Sequence, residues 1–268
     1  MPAQRLAVTA RTFVAVGMAA FGIHQLAYGS FARWVAKLPG WVPVPAIWPY
    51  LTGVVFVAGA GAILFGKQSR TAALILSAMI LAMAVLLHPF EIAAHPGVAD
   101  LWGRAGKAFA LSGAAALVAG SLREERCAPA LRFLESIIPL GPFFVSAFFL
   151  IAGVEHFIYA RFVEQMVPAW IPARIFWAYF TGTALLAGGV GMVLPKTARL
   201  AGLLSGSMVF SWVVLLHIPR AFADLHNTAE TTAIFEALAI SGGAYLIAAK
   251  AAHDATPVDP GLAKRVAA

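Results

Sequence analysis

Long apolar runs alternate with short polar punctuation along the chain. Eight of them approach or reach the roughly 20 residues that a helix needs to cross a hydrocarbon layer. They lie at about 12–30, 46–65, 71–88, 103–121, 142–160, 174–194, 198–217 and 232–250. Lipid offers no hydrogen-bond partner to the backbone, so each run is expected to be a helix. The strict alternation of a barrel strand is absent. The pattern predicts an all-α polytopic membrane protein of eight transmembrane helices. Arg5 and Arg11 ahead of the first run imitate a secretory signal. The corresponding run at 143–159 lies mid-chain and cannot be a signal, so the first run is read as a retained helix.

The polar punctuation repeats. Residues 22–31 read GIHQLAYGSF and residues 153–162 read GVEHFIYARF. PGWVPVPAIWPYLTG at 39–53 is answered by PAWIPARIFWAYFTG at 168–182. Gly22, Tyr28 and Phe31 match Gly153, Tyr159 and Phe162 at an offset of 131; Trp41, Pro43, Trp48, Tyr50, Thr52 and Gly53 match Trp170, Pro172, Trp177, Tyr179, Thr181 and Gly182 at 129. Arg70, His88 and Ser112 match Arg199, His217 and Ser241 at that same offset. The chain reads as a tandem duplication. A first four-helix repeat occupies 1–121 and a second 142–250, joined by an amphipathic linker at 122–141 and followed by a tail, 251–268, expected to be mobile. Four helices per repeat is even, so the two repeats enter the membrane in parallel, about a pseudo-two-fold axis along its normal. Each lid loop carries W-x-P, which forces extended or turned backbone. Two readings stand: an interfacial aromatic anchor that stops a helix, and a partly re-entrant flap over a pocket.

Composition agrees. The chain is 61% hydrophobic and 12% charged, against about 25% charged in soluble domains. Arg5, Arg11, Lys67, Arg70, Arg123, Arg126, Arg132, Lys196, Arg199, Lys250, Lys264 and Arg265 fall on one side of the eight-span arrangement. Arg33, Lys37, Arg104, Lys107, Arg161, Arg174 and Arg220 fall on the other. The richer side is assigned to the cytoplasm with both termini, in an inner membrane. This bias accounts for the net charge of +7. The charges are scattered over short loops, which argues against nucleic acid as a partner. A lone cysteine, Cys127, excludes a paired-thiol relay.

Ionisable groups at membrane depth are expensive and usually functional. Here they crowd toward the outer side: His24, Gln25, Glu155 and His156 late in the first and fifth helices, His88 and His217 at the ends of the third and seventh, Lys107 and Glu236 one to two turns into the fourth and eighth. Lys107 and Glu236 are repeat equivalents of opposite charge. The histidines could ligate haem or a metal ion assembled across helices, since no HxxxH or HExxH spacing is present. They could equally end helices by bonding water or a carbonyl. Glu155 and His156 point about 100° apart on a helix, so one is expected to face the bundle and the other a neighbouring helix. A Glu155–His217 or Glu155–Lys107 pair would lower the cost of burial. A carboxylate beside histidines also suits quinone chemistry, in which protons accompany electrons. No dinucleotide, Walker or CxxCH motif is present.

GVEHFIYARFVEQMVPAWIP, the helix opening WAYFTG, and LLHIPRAF together resemble the DoxX-like family of four-helix membrane proteins. Gly153, His156, Phe157, Pro168, Pro172 and Gly182 carry the resemblance; residues 12–121 fit more loosely, with His24 in the place of Glu155 and Gln25 in that of His156. The resemblance implies a redox-associated membrane function, at most as a subunit of a quinone-linked oxidoreductase, without supplying catalytic residues. The expected reading is a small apolar or quinone-like ligand near the outer face. Glu155, His156 and His217 are the catalytic candidates, and His24, Gln25, Trp41, His88, Lys107, Trp170, Trp177, Tyr179 and Glu236 complete the ligand-binding set, with no metal. A redox partner subunit and the lipid bilayer are the expected partners. A permease and a non-catalytic scaffold are the alternatives.

Overall fold

The computed structural model describes residues 2–66, 68–122, 125–224 and 226–255. Lys67, Arg123, Glu124 and the tail from 256 onward, with Lys264 and Arg265, lie outside the described residues. The described residues are mostly helical, and no strand occurs among them. In chain order the α-helices are α1 (Pro2–Tyr28), α2 (Trp48–Phe65), α3 (Ser69–Ala94), α4 (Ala99–Ser121), α5 (Gly141–Ile158), α6 (Ala160–Met166), α7 (Arg174–Val193), α8 (Ala198–Trp212), α9 (Ile218–Ala223) and α10 (Thr228–Asp254). Residues Val213–His217 join α8 to α9 as a π-helical turn. Pro219 explains the widened turn: it lacks an N–H and its ring would press on the carbonyl four residues back. The Ile218 N–H bonds to Val213 O instead, five residues back.

Seven helical stretches among the described residues are long and apolar enough to cross a membrane. The exception is α4, the eighth expected segment, which carries Asp100, Arg104 and Lys107 in its first half. Packing explains how those charges are housed. α4 lies against α3, α5 and α10, and α10 lies against α1, α4 and α8. α4 and α10 are thus the inner helices; 72% of the apolar window of α10 is buried, against 28–50% for the other six. Arg104 pairs with Glu91 at 3.4 Å, and Lys107 with Glu236 at 2.8 Å.

Close contacts recur at the sequence offsets. α1 crosses α2 where a Cβ on Gly22 would stand 2.7 Å from Gly53 O, and α5 crosses α7 where one on Gly153 would stand 3.1 Å from Gly182 O. Only glycine lets these backbones approach so closely. Ser112 Oγ donates to Ser77 O at 2.9 Å, and Ser241 Oγ donates to Gly206 O at the same distance. The lid loops share a strained residue: Val44 has φ 46° and Ala173, at the 129 offset, φ 53°. A left-handed non-glycine residue costs energy, more so when β-branched, and here it starts the turn that feeds α2 and α7.

The linker carries a 3₁₀ helix over Pro129–Leu140. Arg70 fastens it. Its Nε donates to Glu135 Oε1 at 3.0 Å, its Nη1 to Ala119 O at 2.7 Å, and its backbone N–H to Glu125 Oε2 at 2.9 Å. Leu131, Leu134 and Ile138 pack on the core. Cys127 is buried beneath it and free.

Candidate functional site

Both lid loops lie at one end of the bundle, which we call the tryptophan end after Trp41, Trp48, Trp102, Trp170 and Trp177. Under the second lid is a cavity of about 1030 Å³, at the upper limit of typical small-molecule sites. One wall comes from α5 and carries Phe148, Ala152, Glu155 and His156. A second comes from α8 and the π-turn, with Met208, Trp212, Leu216 and His217. The inner helices supply Gly103 and Lys107 from α4 and Ala233, Glu236 and Ile240 from α10. The second loop borders the mouth with Phe162, Val167, Trp170 and Ile171, and α7 contributes Trp177 and Phe180. Trp170 and Ile171 of the second W-x-P loop thus border the cavity, while Trp170 remains 73% exposed. At the rim stand Arg33 and Asp100, paired at 3.2 Å and both largely exposed.

The polar groups in this apolar chamber are few. Lys107 and Glu236 form the ion pair between the inner helices; the Glu236 side chain is 5% exposed and that of Lys107 36%. Lys107 pairs with Glu236, not with Glu155 as the sequence suggested. Glu155 lies against Gly103, where a Cβ would meet Oε1 at 2.8 Å, and its Oε1 is buried without a hydrogen-bond partner. No Glu155–His217 bond forms either. The reason is reach: α4 leans its Lys107 toward α10, and the glycine at 103 leaves a slot that the Glu155 carboxylate fills. Glu155 and His156 do diverge on their helix, yet both reach the same cavity, because it wraps around the end of α5. His156 Nδ1 sits 2.7 Å from Ala152 O. A carbonyl can only accept, so Nδ1 carries the proton and the lone pair of a neutral ring lies on Nε2. Its ring stacks on Trp212 at 6.0 Å. His217 Nδ1 is buried and unpaired. Arg220 makes two bonds to Glu230 just beyond the π-turn.

Lys107, Glu155, His156, Trp170, Trp177, His217 and Glu236 are thus brought together. His24, Gln25, Trp41, His88 and Tyr179 are not in this chamber. Tyr179 turns away, packing on Phe157. Trp41 is 65% exposed and touches Phe90. His24 stacks on Tyr28. Gln25 is fully buried and accepts from Thr52 Oγ1 at 2.7 Å.

The corresponding space in the first half is filled by the chain itself. The segment after α1 folds inward, and Trp34 is completely buried, with Ala32, Val35 and Ala36 around it. The indole lies edge-on to Phe21 and Phe56 at 5.7 and 6.3 Å. Trp34 O meets His88 Nε2 at 3.0 Å, and Arg104 donates to Val35 O at 2.7 Å. Trp34 was not singled out by the sequence reading. Its signal is the change of offset from 131 to 129, a two-residue insertion between Phe31 and Trp41. The residue opposite it tells the same story: Phe21 becomes Ala152 at the 131 offset, so the second half has room where the first has a ring.

Among the described residues no group of three or more His, Cys, Asp or Glu is placed to hold a metal ion. A family model described as Domain of unknown function (DUF8561) matches residues 145–249, the span from α5 to the end of α10. No curated protein and no solved structure matches this chain.

Proposed function

We propose that the chain is an eight-span protein of an inner membrane, built as two parallel four-helix repeats with both termini in the cytoplasm. It binds a small apolar or quinone-like molecule near the outer leaflet, as a DoxX-like, redox-associated membrane subunit. The cavity of about 1030 Å³ under the second lid carries this reading. It is mainly apolar, with Arg33 and Asp100 at the rim and Thr181, Ser211, Glu155, His156, His217 and the Lys107–Glu236 pair among its polar groups, the few convergent polar groups expected of a site that orients a hydrophobic ligand. α4 serves as the eighth span because Arg104 and Lys107 are answered by Glu91 of α3 and Glu236 of α10, while Asp100 sits at its first turn beside Arg33. The repeat-matched contacts at Gly22, Gly153, Ser112 and Ser241 support the two-fold arrangement, and the excess of Lys and Arg on the side of the termini supports the orientation.

In this reading Glu155 and His156 make polar contacts to the ligand. His217 bonds its carbonyl or relays a proton, and Trp170 and Trp177 wall the chamber. The test is an optical spectrum and lipid-extract mass spectrometry of purified protein, followed by binding of a short-chain benzoquinone. A co-purifying quinone, or saturable binding lost in Ala152→Phe, is expected. Protein that carries no quinone and binds none would refute it.

A further inference from the structure

The first half already displays an occupant, and it describes the ligand of the second. This inference rests on the reading of the second-half cavity as a ligand site. The space under the first lid holds a fused-ring aromatic, the Trp34 indole, packed edge-on by Phe21 and Phe56. It also holds an acceptor, Trp34 O, bonded by His88 Nε2. A carbonyl oxygen has no proton to give, so that histidine is the donor. The offset of 129 carries His88 to His217, which lines the cavity; Nδ1 is buried and unpaired in both rings, so Nε2, the nitrogen that His88 uses, is the one left to His217 for a ligand. The offset of 131 carries Phe21 to Ala152, which also lines it. Of the groups that hold Trp34, the histidine is kept as His217, while the rings Phe21 and Phe56 are replaced by the smaller Ala152 and Leu185, which leaves room for a ring where the second half has no tryptophan. The segment equivalent to the inserted loop forms α6 and stays at the rim.

The geometry points to a ligand of one chemical class for the second cavity: a planar fused-ring aromatic bearing a carbonyl, with its oxygen on a His217 N–H and its ring over Ala152. The volume of about 1030 Å³ exceeds what a bicyclic head fills, and the surplus is walled by Phe162, Trp170 and Phe180. An apolar tail on the ring would leave through that aromatic mouth toward lipid.

The test compares 2-acetylnaphthalene with 2-ethylnaphthalene, which differs in lacking the carbonyl, by equilibrium dialysis of the full chain in nanodiscs against empty nanodiscs. The wild-type chain is expected to show one saturable site that prefers the ketone. Comparing the ketone-to-hydrocarbon affinity ratio between variants cancels partitioning into lipid. In His217→Leu this ratio falls roughly five- to tenfold, the worth of one neutral hydrogen bond, and in His217→Gln, which keeps an N–H, most of it is retained. Trp34→Ala is expected to add a second saturable site. An unchanged ratio in His217→Leu overturns the inference, as does a single site in folded Trp34→Ala protein. If a short-chain benzoquinone binds but the ketone does not, only this inference fails. If neither binds, the proposed site fails with it.

Discussion

Lys107→Met leaves Glu236 as a carboxylate at the contact of the two inner helices, its side chain 5% exposed, with its 2.8 Å partner gone. Breaking a buried pair by removing one member costs about 3–5 kcal/mol, because the remaining charge has lost its compensation. The reverse substitution is gentler. Glu236→Gln leaves an ammonium that is 36% exposed on the cavity, and the loss of one charge-assisted bond there costs about 1–3 kcal/mol. The double variant should cost less than the two single costs combined, by about 1–3 kcal/mol, since neither group is then stranded. The exchange Lys107→Glu/Glu236→Lys rebuilds the pair and should recover most of the loss. SDS or urea titration in mixed micelles, followed by far-UV circular dichroism, supplies the four free energies. Strictly additive costs, or a loss below about 1 kcal/mol for Lys107→Met, would refute the claim that this pair holds α4 to α10.

Three further outcomes are expected. Trp34→Ala removes a fully buried indole and should destabilise by about 3–5 kcal/mol, with part of the loss restored by added indole; no response of the unfolding midpoint would count against the plug. Ala152→Phe transplants the first-half ring into the second cavity and should abolish saturable ligand binding with a change in stability of less than about 1–2 kcal/mol, read by dialysis and thermal melting together. Arg70→Gln removes the guanidinium bonds to Glu135 and Ala119; trypsin cleavage at Arg126 or Arg132 should accelerate several-fold, and an unchanged cleavage rate would show the linker to be held otherwise.

Much of the fold was legible because the hydrophobic runs are long and the duplicated lids fix their register. The Gly22–Gly53 and Gly153–Gly182 crossings stand where the copies agree best. The run at 103–121 was read as a span from its apolar second half, yet α4 as a whole is not among the seven stretches apolar enough to cross; Arg104 and Lys107 are answered by Glu91 and Glu236 on other helices, and partners distant in sequence leave no local trace. The side of the bundle that holds the polar cluster was readable from helix direction alone. Which residues share one chamber was not. Trp34 hides inside a loop, His88 is spent on that loop's backbone, and Glu155 finds a slot at Gly103 instead of the expected cation. Each depends on how far a side chain reaches across a helix crossing, which spacing does not encode. The adjacent Glu155 and His156 show the same limit: their angular separation was right, but a cavity can curve around a helix end.

The Lys107–Glu236 pair has a historical meaning. In the proposed two-fold arrangement these two positions are one position seen twice, and they meet. An ancestral assembly of two identical four-helix chains would have set that residue against its own copy. Lysine would then have faced lysine, or glutamate glutamate, and like charges at such range repel. Opposite charges at a self-facing site become available only once the two copies mutate separately. On that arrangement the ion pair would date to after the copies diverged, and it would mark where the descendants gave up interchangeability, one lining a chamber and the other swallowing its own tryptophan.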